Sequence, residues 1–248
     1  CAPFSFLYGE GNKWNRIRLY RTHARAKRKT ANAMGIASGA LRIMQSIKST
    51  RPIASVPAGT AKGQGKMKIL ETQRLILRKL TQDDYGGLCN ILQDKEAMYA
   101  YEHAFSDAEV QDWLINQQRR YKEDGFGLYA VLLKETGRFI GQAGITMQKT
   151  PDETVPEIGY LFQKAYWHRG FATEAAIALR DYAFETLHME RIYSIIRDTN
   201  TASRRVAQRN GMKPVGSFVK HYYGNDMPHV VYCVKREDFP MKGLQKKL

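Results

Sequence analysis

No run of about 18 apolar residues occurs anywhere in the 248-residue chain, and its mean hydropathy is −0.49, so no helical membrane span is expected. Cysteine is scarce. Cys1, Cys89 and Cys233 are odd in number and far apart, which argues against a disulfide framework or a CxxC zinc pattern and points to a reducing, cytoplasmic setting. His103, His168, His221 and His229 show no metal-ligand spacing, so no metal is expected. Neither GxxxxGK[ST] nor GxGxxG is present, which excludes a Walker loop and a dinucleotide fingerprint. Acid is nearly missing from one end: residues 1–66 hold 13 Lys and Arg against Glu10 alone, whereas residues 67–248 hold 26 against 23.

The net charge of +15 therefore belongs to the front segment and not to the body. Residues 1–66 sustain no helical or strand period and end in a Gly-, Pro- and Ala-rich stretch, RPIASVPAGTAKGQGK. Three readings compete: a basic tail for polyanions, an Arg-rich transit-like presequence, and upstream sequence foreign to the folded protein. The last is preferred, because the chain begins at Cys1 whereas Met67 stands directly before the first strand-like pattern. A near-neutral body makes nucleic acid an unsuitable partner for residues 67–248.

From Met67 the pattern is that of one α/β (α+β) domain, residues 67–248. Glu71–Leu80 reads as a strand with Leu75 and Leu77 inward, followed by a helix capped at Thr81 that runs to about Leu92. Ser106 and Glu109 form a capping box for a helix to about Glu123. Three strands follow as a meander, Gly127–Leu133, Arg138–Met147 and Val155–Phe162. Beyond them lie a helix from Thr173 to Leu187, a strand at Arg191–Arg197, a helix over Thr201–Asn210 ended by Gly211, and strands at Met212–Tyr223 and Met227–Val234. About seven strands and four helices in a mixed sheet result.

Between the third meander strand and the next helix lies WHRGFATEA, residues 167–175. A strand, a short loop and a helix leave the first helical amides without intrahelical partners, and with the helix dipole they favour a phosphate. Gly170 lets the backbone approach, the small Ala172 avoids a wall, and His168 and Arg169 add cationic donors. One glycine at a helix start is by itself an ordinary connection.

WHRGFATEA resembles the acyl-CoA pyrophosphate loop of the GCN5-related N-acetyltransferase (GNAT) superfamily, in the branch of ribosomal-protein N-terminal alanine acetyltransferases, where Trp stands first. Trp167, Gly170 and Ala172 match that pattern; Thr72, Arg74, Leu75, Leu77 and Arg78 match the branch's opening strand, and Glu157–Tyr160 its EIGY strand. Asn200 and Ser203 match its Asn-x-x-Ser helix, although Met212 stands where the family has Phe after Gly211. The resemblance spans about residues 67–240. It implies a mostly antiparallel, splayed sheet, with the pantetheine arm of acetyl-CoA pairing with Tyr160, Leu161 and Phe162. Its pyrophosphate would rest on His168, Arg169, Gly170, Phe171, Ala172 and Thr173, and Asn200 would contact the arm. Gly159 is expected to mark a bulge that opens the sheet.

The implied reaction is acetyl transfer from acetyl-CoA to a primary amine, by direct attack in a ternary complex. Cys89 and Cys233 lack a histidine partner that would suggest a covalent enzyme. Deprotonating a lysine-like amine at pH 7 costs about 4 to 5 kcal/mol, and an α-amine about 1 to 1.5 kcal/mol. Glu157 is the leading base, directly or through water; its bland alternative is a solvent-facing strand carboxylate. Many relatives protonate the thiolate with a Tyr where this chain has Ala207. Ser203 near the thioester sulfur is a substitute acid, against a plain capping role. Tyr99, Tyr101, Glu102 and Tyr222 are candidate contacts for the acceptor amine, against a reading of the aromatics as core. The acceptor is left open between a protein N-terminus and a small amine, as is the choice of monomer or homodimer. The alternative class is a non-catalytic acyl-CoA-binding regulatory module.

Overall fold

A computed structural model describes residues 68–101, 103–222 and 224–239. The basic front segment and Glu102 lie outside them. The strands are β1 (Lys68–Glu71), β2 (Leu75–Lys79), β3 (Leu128–Leu133), β4 (Phe139–Lys149), β5 (Thr154–Phe162), β6 (Arg191–Arg197), β7 (Lys213–Tyr222) and β8 (Asn225–Lys235). The helices are α1 (Tyr85–Leu92), α2 (Asp107–Glu123), α3 (Phe171–Glu185) and α4 (Thr201–Arg209). One sheet holds all eight strands in the order β1-β2-β3-β4-β5-β6-β8-β7, antiparallel throughout except where β6 lies parallel to β5 across the α3 crossover.

The mixed, mostly antiparallel sheet and its four helices follow the expected order, with one more strand than seven. The stretch read as a single strand from Glu71 is a hairpin. The Thr72 amide donates to the Leu75 carbonyl at 2.9 Å, Thr72 Oγ1 accepts from the Leu75 amide at 2.9 Å, and β1 turns back along β2 with Leu70 opposite Leu77. Elsewhere the local chemistry acts as written. The Ser106 amide donates to Glu109 Oε2 at 2.7 Å and opens α2. Thr81 and Asp84 form a second box, with Asp84 gripped by both arms of Arg78 at 2.7 Å, although a 3-10 turn over Gln82–Asp84 precedes α1.

Helix α3 lays Ala176, Leu179 and Ala183 on a core made with Leu77, Tyr129, Ile145, Ile158, Tyr160 and Ile196. Val155 belongs instead to a second cluster with Tyr193, Ile195 and Cys233. Because a strand alternates its faces, Glu157 shares the face of Val155, away from α3. The bulge expected at Gly159 is absent: β4 and β5 stay in register from Lys149 opposite Thr154 to Gly141 opposite Phe162. Gly159 faces Gly144, where a Cβ would overlap the Gly127 carbonyl, so glycine serves close packing at that row.

Candidate active site

The sheet opens between β5 and β6, which meet at one register point, Glu157 opposite Tyr193. Beyond it side chains replace the lost ladder. Glu157 Oε1 accepts from the Ile195 amide at 2.8 Å, Ser194 Oγ donates to the Ile158 carbonyl at 3.0 Å, and the Tyr160 hydroxyl donates to the Ser203 carbonyl at 3.3 Å. The edge of β5 at Tyr160 and Leu161 is thus left without a paired strand on its β6 side, a place where an extended chain can add by backbone bonding.

The chain leaves β5 through a 3-10 turn at Lys164–Tyr166, and Trp167 Nε1 donates back to the Phe162 carbonyl at 2.8 Å, fixing the loop to the strand end. Gly170 is the N-cap of α3, with φ 80° and ψ 0°, and makes no side-chain capping bond. The first amides of α3, at Phe171, Ala172 and Thr173, are therefore available to an outside acceptor, the arrangement an anion such as a pyrophosphate fits. His168 also has positive φ, 59°, and is exposed. Arg169 lies over the rings of Tyr166 and Phe171 at 5.7 and 5.3 Å.

A support for this loop comes from the β1–β2 turn, which sequence reasoning took for mid-strand. Glu174 Oε1 accepts from Thr72 Oγ1 at 2.6 Å and from the Arg74 amide at 2.9 Å, while Oε2 takes Arg74 Nε at 2.6 Å. Arg74 Nη1 then donates to the Arg169 carbonyl at 3.0 Å, and its guanidinium lies 4.5 Å from the Phe171 ring centroid. The Thr, Arg and Glu of two sequence motifs therefore form one latch across about a hundred residues. Burial opposes ionisation of Glu174, but its bonds from Thr72 and Arg74 prevail and hold its proton affinity below the usual carboxylate range.

Glu157 is not the solvent-facing carboxylate of the bland alternative: it is 1% exposed, and Oε2 has no hydrogen-bond partner among the described residues. Burial pushes its pKa up to about 7 against the pull of Lys220, the Ile195 amide and Arg120. Lys220, on β7, is 8% exposed and likewise has an unpartnered Nζ among the described residues; burial pushes it down to about 8, with Glu157 opposing. His229, on β8, is pushed down to about 4 by burial and then by Lys220, and its Nδ1 donates to the Met227 carbonyl at 2.8 Å. Sequence reasoning missed Lys220 and His229, since a lysine in the run SFVKHYY reads as an outward strand residue.

Asn200 is fully buried and caps α4, its Oδ1 accepting from the Ser203 amide at 3.0 Å. Ser203 is equally buried, and its carbonyl receives Tyr160 across the opening. Tyr99 is 43% exposed and its carbonyl accepts from Arg197 at the end of β6, which sets this segment beside the opening. Tyr101 meets Phe105 and Trp113 edge-on at 6.3 and 6.2 Å, an aromatic cluster that supports the core reading for this side chain. Tyr222 closes β7 opposite Asn225. Among the described residues no group of three or more His, Cys, Asp or Glu could hold a metal, and no helix is long and apolar enough to cross a membrane.

A family model described as an acetyltransferase (GNAT) domain matches residues 74–213. YkkB of Bacillus subtilis, an uncharacterised protein, is 36% identical over 144 residues, 58% of this chain and 84% of YkkB. The uncharacterised N-acetyltransferase p20 of Bacillus licheniformis is 32% identical over 139 residues, 55% of this chain and 78% of p20. A GNAT-family acetyltransferase from Bacillus anthracis has a solved structure with TM-score 0.59 at 24% identity, covering 67% of this chain and 98% of that one. RimL, a ribosomal L7/L12 α-N-protein acetyltransferase solved in complex with coenzyme A, shares the fold with TM-score 0.56 at 16% identity, covering 66% and 95%. With a family match across more than half its length, the chain belongs to the GNAT acetyltransferases and is an acyltransferase.

Proposed function

We propose that the protein transfers the acetyl group of acetyl-CoA to a primary amine by direct attack in a ternary complex, with Glu157 as general base. The observation that carries the reading is the parting of β5 and β6 immediately after Glu157, next to a loop whose helix N-terminus has no side-chain cap. In this reading the backbone of Tyr160, Leu161 and Phe162 pairs with the pantetheine arm, and Asn200 lies along it. His168 to Thr173 hold the pyrophosphate, chiefly through backbone amides. Bound there, the donor supplies an activated thioester and a good thiolate leaving group.

Glu157 has one oxygen fixed by the Ile195 amide and the other without a partner among the described residues, and a pKa raised to about 7 suits a base working near neutrality. Its free oxygen takes a proton from the amine, directly or through one water. Ser203 is the nearest thing to an acid that the motif offers, and a thiolate leaving group makes that role dispensable. Residues Tyr99 and Tyr222 would border the acceptor.

Release of free thiol from acetyl-CoA against a panel of primary amines tests the proposal. Amine-dependent release that collapses in Glu157→Gln is expected. Acetyl-CoA binding with no release against any amine would support the non-catalytic module instead, and full activity in both Glu157→Gln and Ser203→Ala would discard the assigned roles.

A further inference from the structure

Two groups of opposite charge sit buried on the same face of the sheet, Glu157 in step with Val155 on β5 and Lys220 in step with Phe218 on β7, without satisfying each other. Glu157 Oε2 and Lys220 Nζ are each free of hydrogen-bond partners among the described residues, so they do not bond to one another, although each is felt in the other's ionisation. A buried carboxylate oxygen and a buried ammonium left unpaired each carry a desolvation penalty that folding rarely tolerates without use. The ammonium is 5.4 Å from the Phe218 ring, and Phe218 in turn stacks on His229 at 6.2 Å. His229 stays neutral near pH 7 and spends its Nδ1 proton on the Met227 carbonyl. These neighbours hold Lys220 in place without supplying the anionic or carbonyl oxygen its charge requires.

We propose that Lys220 is a specificity-determining residue that reads an oxygen on the carbon bonded to the acceptor's amine-bearing carbon, so that Glu157 and Lys220 together take an amine paired with an α-carbonyl or α-carboxylate. The inference rests on the proposed acetyl transfer and narrows its acceptor. The amine nitrogen donates to Glu157 Oε2, and the adjacent oxygen accepts from Lys220 Nζ. An α-amino acid and the first residue of a polypeptide share that chemistry. A di- or polyamine lacks the oxygen and brings a second cation toward a buried ammonium, which disfavours it.

The test compares wild type, Lys220→Met and Lys220→Arg by thiol release from acetyl-CoA, with glycinamide, a short peptide, free glycine, ethylamine and 1,3-diaminopropane as acceptors. Each acceptor is compared only with itself across the variants, so differences in amine basicity cancel. Lys220→Met is expected to lower kcat/KM at least tenfold more for the three oxygen-bearing acceptors than for ethylamine and the diamine, whose smaller shared loss reports the tighter proton binding of Glu157 without its neighbouring cation, with Lys220→Arg restoring most of the difference. A larger loss for glycine than for the peptide assigns a free amino acid, and the reverse assigns a polypeptide N-terminus. An equal loss for every acceptor, or none, overturns the inference. If no amine supports thiol release, the proposed function fails separately. Equilibrium binding of glycinamide to the coenzyme A complex then decides the inference: weaker binding in Lys220→Met supports it, and equal binding overturns it.

Discussion

A glutamate at 1% exposure with one oxygen held by the Ile195 amide binds its proton more tightly than the same residue in water. Its folded pKa of about 7 exceeds the reference 4.5, so between these values the folded protein holds a proton that the unfolded chain has released. The contribution of Glu157 to stability therefore falls as pH rises across that window, while the fraction able to act as base rises. Melting temperatures of wild type and Glu157→Gln from pH 4.5 to 8 should show wild type losing ground to the variant, and the wild-type rate should climb with an apparent pKa near 7. At Gly170 the constraint is steric: φ 80° costs a side chain roughly 1 to 2 kcal/mol, and a Cβ would meet Arg74 Nη2 at 3.4 Å. Gly170→Ala should raise the KM for acetyl-CoA about tenfold and leave the KM for the amine in place, as steady-state kinetics with each substrate varied will show.

Among the elements, the β1–β2 turn braces the loop before α3 through Thr72, Arg74 and Glu174. Glu174→Gln keeps the shape of the latch but loses its charge-assisted bonds to Arg74, which is about half exposed. After that discount the loss is roughly 0.5 to 1 kcal/mol, a two- to fivefold rise in the acetyl-CoA KM with the amine KM unchanged. Asn200→Ala removes the cap of α4 and should lower stability by about 0.5 to 2 kcal/mol in denaturant melts. The elements legible from sequence were those with local chemistry: the Ser106 and Glu109 box, the meander around Gly137, and the glycine loop before α3. The turn at Thr72 was not legible, because the side chains that bend the chain there answer to Glu174, far along the sequence. Lys220 escaped for the same reason. Its environment includes His229 on β8 and the charge of Glu157 on β5, and strand alternation alone does not distinguish an outward lysine from a buried one.

At the scale of the whole molecule, the charge is divided as unevenly as the chemistry. The family match and the candidate catalytic and cofactor-binding residues fall after residue 73, whereas most of the excess positive charge lies in residues 1–66. Deleting residues 1–66 should leave amine-dependent thiol release within about twofold of the full chain at moderate salt, where screening suppresses long-range effects of that charge. In the proposed mechanism the sheet, the opening after Glu157 and the latched loop work together, the donor's arm taking the place of the missing ladder and bringing its reactive end to Glu157. The most direct test of that account is acetyl-CoA-dependent turnover of a primary amine by wild type against Glu157→Gln, with acetyl-CoA binding measured on the same samples. The account predicts retained binding and a fall in kcat of about a hundred- to ten-thousand-fold, in the range of a lost general base. Equal turnover by the two proteins would contradict it.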